Sequence, residues 1–225
     1  MDATPNKDSD RRLLDAIQAF VARHPHPSLR GFQESLAHWG ETWRGVAPRH
    51  LPAADLLAQA MPSAIAGTRE LVALFDRENA HRKWEQSYTK ADGLVGDDML
   101  SGYGFAEVIG QQGPFLSKRV RSGLGVWGPD IDYPPHRHRA EEVYLLLAGG
   151  AEFRLGRGAA ASARSCAAGD VVHVPSLQTH GFRTKREPLV VLFIWQAGDL
   201  REKSDFSREP ATADSGTTAR APRGL

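Results

Sequence analysis

Only one cysteine, Cys166, occurs in the 225 residues, so no disulfide can form within the chain. That scarcity fits a reducing compartment, and the expected location is the cytoplasm. No run of about 18 apolar residues is present, so no membrane-spanning helix is expected. Residues 1–12 are polar and charged and lack an apolar stretch, so no signal peptide is expected there either. Charge of one sign is missing as well. The 28 Lys and Arg balance 27 Asp and Glu to a net charge of +1, without the basic footprint of a nucleic-acid binder. What remains is an ordinary globular composition, long enough to bury a core without disulfide staples.

The first hundred residues read as helical. Ser9 is placed as an N-cap, followed by Leu13, Leu14, Ile17, Phe20 and Val21 at helical spacing. Pro25 and Pro27 end that helix. A second helix, capped by Ser28, carries Phe32, Leu36 and Trp39 on one face. Residues 53–61 form a short third candidate. A longer fourth starts at Ser63 and aligns Ile65, Leu71, Leu74 and Phe75, with residues 81–85 as a polar extension.

After Gly93 the texture changes. Residues 105–109, 120–127, 142–147, 151–155, 171–174 and 189–195 read as strands, separated by Gly110, Gly128-Pro129-Asp130, Gly149-Gly150, residues 156–158 and Gly169-Asp170. Many short, closely spaced strands point to an antiparallel sandwich or barrel. Residues 201–225 hold almost no large apolar side chain, and disorder is expected of them. The expected domains are therefore a helical segment at 1–100 packed on the barrel, the barrel itself at 101–200, and a tail at 201–225.

The chemistry concentrates at Tyr133-Pro134-Pro135-His136-Arg137-His138-Arg139-Ala140-Glu141-Glu142-Val143-Tyr144. In extended chain His136 and His138 point the same way. On a strand over 142–147, Glu142, Tyr144 and Leu146 share one face. A carboxylate on an inward face is costly unless something satisfies it, and a divalent metal shared with the two histidines would do so. A second stretch, Gly169-Asp170, strand 171–174, Pro175 and then His180, offers a further imidazole. This donor set suits a borderline divalent ion: zinc, iron, manganese or nickel. His173 fits no ligand position and reads as packing, and Cys166 carries no assigned chemistry.

The spacing His136-x-His138, three residues, Glu142, six residues, Gly149, followed by Gly169, five residues, Pro175, four residues, His180, resembles the paired signature of the cupin superfamily. Leu177 stands where that pattern commonly has glycine, and Thr184 where it commonly has asparagine. The resemblance implies a mainly β cupin fold, a double-stranded β-helix or jelly-roll barrel, here with an N-terminal α-helical segment.

The run Tyr-Pro-x-His-x-His-x-Ala-Glu-Glu-x-Tyr, with the helical first half, is also similar to the cupin-type dimethylsulfoniopropionate lyases. That likeness implies one divalent metal held by His136, His138, Glu142 and His180, with Tyr144 as base and Tyr133 in the substrate pocket. Cleavage of this small-molecule substrate to dimethyl sulfide and acrylate needs removal of a proton alpha to a carboxylate, hence a base and a Lewis acid. A free phenol has a pKa of about 10, so acting near pH 7 asks for about 3 units of depression, about 4 kcal/mol. The sulfonium needs aromatic faces, for which Tyr133, Trp127 and Trp195 are the candidates. Lys118, Arg119 and Arg121 are candidates by position for its carboxylate. Two other readings stay open: a metal-dependent cupin oxygenase or isomerase on a small carboxylate, and a non-enzymatic small-molecule-binding cupin. No nucleic-acid or membrane partner is expected, and a homodimer fits the family habit.

Overall fold

The computed structural model describes residues 4–37, 42–156 and 161–206. Five helices come first: α1 Lys7–Arg23, α2 Arg30–Ala37, α3 Leu56–Ala60, α4 Ala66–Arg77 and α5 Asp97–Gly102. Eleven strands are present among the described residues. β1 Trp84–Glu85, β2 Tyr103–Gly110, β3 Phe115–Leu116, β4 Val120–Trp127, β6 Glu141–Ala148, β9 Val171–Val174 and β11 Leu189–Gln196 belong to a seven-stranded sheet. Its order is β1-β2-β4-β11-β6-β9, with β3 on the side of β2. β5 Asp132–His136, β7 Gly150–Leu155, β8 Ser162–Ala167 and β10 His180–Thr184 form a four-stranded sheet in the order β5-β10-β7-β8. All pairings are antiparallel except β2 with β3.

Alternation sorts each central strand onto two cores. In β6, Val143, Leu145 and Leu147 meet the helices, sharing an outer cluster with Leu13, Ile17, Phe32, Val72 and Phe75. Tyr144 and Leu146 face the other way, into an inner cluster with Phe153, Phe182, Trp127 and Tyr133. β11 divides likewise: Val190, Leu192 and Ile194 outward, Leu189, Val191 and Phe193 inward. The inner cluster draws on both sheets, which makes a two-sheet cupin barrel with helices on one outer face. Thr68 Oγ1 ties α4 to this sheet, donating to the carbonyl of Leu147 at 2.6 Å.

Several local expectations change. Asn6, not Ser9, caps α1, its side chain accepting from the Ser9 amide at 3.0 Å. Ser9 is buried and accepts from Arg82, whose guanidinium also pairs with buried Asp10. A short 3-10 turn, Pro27–Leu29, precedes α2, and its cap is His26 rather than Ser28. Trp39 lies outside the described residues. Ser63 does not start the fourth helix. Its hydroxyl donates to the Ala60 carbonyl and accepts from the Gly149 amide, and α4 begins at Ala66. Residues 81–85 do not extend α4. Trp84 is fully buried, its Nε1 bonded to Asn79, and it pairs with β2 as a strand.

The departures from the cupin pattern have local explanations. Leu177 sits at φ 61°, the left-handed region where glycine is at ease. Thr184 Oγ1 accepts from the Ile131 amide and donates to the Gly128 carbonyl, at 2.7 and 2.8 Å, so it fixes the turn before β5.

Candidate metal centre and active site

Strand register brings the chemistry to one end of the barrel interior. His136 closes β5 and pairs with His180, the first residue of β10. His138 lies just beyond, and Glu142 enters β6. The ring centroids of His136 and His138 are 4.2 and 5.0 Å from that of His180. All three rings and Glu142 are at most 2% exposed.

Each imidazole is oriented by a backbone carbonyl. Nδ1 of His136, His138 and His180 lies 2.9 Å from the carbonyl oxygens of Pro134, Ala140 and Gln178. A carbonyl only accepts, so each Nδ1 carries a proton, and Nε2 of each ring is the atom left for the cluster. One ligand atom from each ring falls within 4.8 Å of the others. Glu142 Oε2 joins them, 3.0 Å from His138 Nε2 and 3.5 Å from His180 Nε2.

The electrostatics fit a cation. His180 Nε2 is buried and makes no hydrogen bond among the described residues. Burial pushes His136 well down, and its neighbour His180 pushes it further. For Glu142, burial works to raise the carboxyl, but the imidazoles of His138 and His180 outweigh it and hold the group well below the usual carboxylate range. His138 is raised on balance: burial opposes this, and the hydrogen bond and charge of Glu142 prevail. Imidazole nitrogens converging beside a carboxylate are the donors that a divalent transition metal takes.

A cavity of about 310 Å³ opens beside this cluster. Tyr144 and Glu142 line it, and so do Trp127, Tyr133, Phe193 and Trp195. Tyr144 is 3% exposed, two residues along β6 from Glu142 on the same face. Burial pushes its phenol well above the ordinary value, and the Glu142 carboxylate adds to this. Tyr133 stacks on His136 at 4.2 Å between centroids, and Trp127 stacks on Tyr133 at 6.0 Å. Trp195 stacks on His138 at 4.1 Å, and the Arg121 guanidinium sits 5.1 Å from its ring centroid. Gly125 makes room for this aromatic wall, since a Cβ there would lie 2.6 Å from the Trp127 ring.

The sequence reading missed part of the wall. Tyr88 hydrogen-bonds Tyr133 hydroxyl to hydroxyl at 2.8 Å, and Tyr103 accepts from the amides of Ser87 and Tyr88. Both line the cavity, yet neither sits in a motif or a periodic run that would have marked it. Leu200 to Ser204 line it too, and Phe206 packs on Tyr88 and His136 at 5.2 and 5.3 Å. Residues 201–206 were read as the start of a disordered tail. They instead lie on the barrel, where Asp205 forms a bridge and an ion pair with Arg137. Residues 207–225 fall outside the described residues. Of the three cationic candidates, Lys118 and Arg119 are exposed and only Arg121 reaches the cavity. His173 pairs with Glu141 and packs on Phe32, outside the cluster.

Three buried imidazoles converge inside a two-sheet cupin barrel, a cluster that could hold a metal ion. The sequence profile of the dimethylsulfoniopropionate lyase family matches residues 34–191. The dimethylsulfoniopropionate lyase DddQ of Ruegeria pomeroyi is 31% identical over 193 residues, 84% of this chain and 90% of that protein. Its crystal structure covers 88% of this chain and 96% of its own at a TM-score of 0.76 and 29% identity. A chain from the crystal structures of the lyases RdDddP and RnDddQII covers 90% of this chain and 99% of its own, with a TM-score of 0.77 and 28% identity. The chain belongs to the dimethylsulfoniopropionate lyase family.

Proposed function

We propose that this chain cleaves dimethylsulfoniopropionate to dimethyl sulfide and acrylate by a base-assisted β-elimination, with Tyr144 as the base and His136, His138, Glu142 and His180 holding one divalent metal. The observation that carries this reading is a single one. A buried phenol, Tyr144, lines an aromatic-walled cavity together with Glu142, whose Oε2 lies 3.0 and 3.5 Å from the Nε2 atoms of His138 and His180. When bound, the ion supplies Lewis acidity toward the substrate carboxylate and compensates the charge of Glu142.

The chain's own residues account for the rest. The Tyr144 phenolate oxygen takes the proton from the carbon alpha to the carboxylate. The C–H electron pair becomes the second bond between the alpha and beta carbons. The C–S bond breaks with its electrons going to sulfur, so dimethyl sulfide leaves neutral and needs no general acid. Tyr144 then returns the proton to solvent. Burial, the larger cause, and the Glu142 carboxylate both hold the phenol up, so the positive charge of a bound ion would be needed to bring Tyr144 toward a working base.

The sulfonium sits at the end walled by Tyr88, Tyr103, Trp127 and Tyr133, where ring faces stabilise a cation. Trp195, engaged by both His138 and Arg121, chiefly braces the metal ligand. The reading is tested by following both products by NMR with purified full-length, metal-assayed protein. Equal amounts of dimethyl sulfide and acrylate without oxygen uptake are expected. Oxygen consumption, or acrylate without the sulfide, would assign the site to other chemistry.

A further inference from the structure

Strand register sets three side chains in a row across the barrel mouth. Trp195 on β11 pairs with Arg121 on β4 at one side and with Glu142 on β6 at the other. Directly paired residues project to the same face, and all three line the cavity. Arg121 thus stands two strands from Glu142, roughly 10 Å between Cα atoms at ordinary strand spacing, and a long side chain covers much of that gap.

The guanidinium is held for a purpose that Glu107 alone does not explain. Arg121 Nε donates to Glu107 Oε2 at 2.8 Å. Glu107 Oε1 is committed elsewhere, accepting from the amides of Gln112 and Gly113 at 2.7 and 2.8 Å. The planar group lies against the rings of Phe105 and Trp195, each 5.1 Å from its centre. Aromatic walls and a buried carboxylate fix its position, while its two terminal nitrogens have no acceptor among the described residues. A rigid fork of N–H donors at a cavity wall is built to receive a planar anion.

We infer that Arg121 is the carboxylate-binding residue of this site, receiving one oxygen of a small carboxylate whose other oxygen faces the histidine cluster. The inference rests on the proposed lyase reading and adds the polarity of binding. The substrate's carboxylate points to Arg121 and its sulfonium to the rings of Tyr88, Trp127 and Tyr133. Negative charge that builds on the carboxylate as the alpha proton leaves then falls on an arginine already in place.

Calorimetry on the metal-loaded, full-length protein tests this with two probes, acrylate and trimethylsulfonium. Arg121→Met is expected to weaken acrylate by about 10- to 150-fold, the worth of a charge-assisted hydrogen bond, with trimethylsulfonium affinity and metal content unchanged. Glu107→Gln keeps the guanidinium but loosens its anchor, and is expected to weaken acrylate less than Arg121→Met does. Should Arg121→Met fail to fold, Arg121→Lys is read the same way, with a smaller loss for acrylate alone. Acrylate affinity unaltered by loss of Arg121, equal losses of both probes, matching acrylate losses in the Arg121 and Glu107 variants, or no acrylate binding to the wild type would each overturn the assignment. Acrylate bound through Arg121 by a protein that releases no dimethyl sulfide would leave the subsite standing and overturn only the choice of substrate.

Discussion

The two sides of the seven-stranded sheet are made from the same strands and differ in almost everything else. The outer side is apolar, mostly aliphatic with a few aromatic rings. Val143, Leu145, Leu147, Leu192 and Ile194 meet Leu13, Ile17, Phe32 and Phe75 from the helices. The inner side is aromatic and ionisable: Tyr144, Phe193, Trp195 and Tyr133 lie around three imidazoles and a carboxylate. Outer burial supplies stability, at roughly 25 cal/mol per Å² of apolar surface. Inner burial costs stability, because polar groups lose water there, and it is sustained by carbonyls that orient the imidazoles and by the charge they hold in common. Function sits where the fold is under tension, and the outer layer bears the cost.

That contrast can be broken from either side. The largest effect is expected from His180→Ala. Bound metal falls to background and turnover goes with it, while the barrel still melts cooperatively by circular dichroism. Stoichiometric metal in this variant would remove His180 as a ligand. Tyr144→Phe should keep metal and fold and lower kcat by about 10²–10⁴-fold, the usual contribution of a positioned base, and a near-wild-type rate would dismiss Tyr144 as base. On the outer side, Phe75→Ala empties a fully buried position and should lower unfolding stability by about 3–5 kcal/mol in urea titrations. The rate per folded molecule should not change, and a fall in that rate would show the two sides to be coupled. The smallest change is expected of Tyr133→Phe, which deletes only the hydroxyl contact with Tyr88. About 0.5–1.5 kcal/mol is at stake, seen as a KM raised a few-fold at similar kcat, whereas a collapse of kcat would make Tyr133 the proton acceptor.

Legibility in the sequence followed the same division. Strands with two covered faces were found from apolar runs and turn residues, and the parity of β6 and β11 correctly sorted inward from outward side chains. The three histidines and Glu142 stand out in the sequence by their short, regular spacing, and strand register brings them together. Among the strands that escaped, β1 and β3 are only two residues long, too short for alternation to mark, and β5 and β8 are edges of the four-stranded sheet. β5 contains Pro134 and Pro135, which an edge tolerates because it need not donate on both sides. β8 is largely exposed and polar, so no hydrophobic alternation marks it. Residues 201–206 were hidden for another reason. They are held by Arg137, Arg139 and Asp92 through ion pairs and backbone bonds, a kind of ordering that composition does not reveal. Tyr88 and Tyr103 reach the cavity only through the tertiary arrangement of β2 and the segment before it.

The most direct test of the account strips the full-length protein with a chelator and restores a divalent metal stepwise, following bound metal and headspace dimethyl sulfide together. The account predicts that release from dimethylsulfoniopropionate rises in proportion to bound metal and levels off at one ion per chain. Metal bound at one per chain in a folded protein that releases no dimethyl sulfide would contradict it.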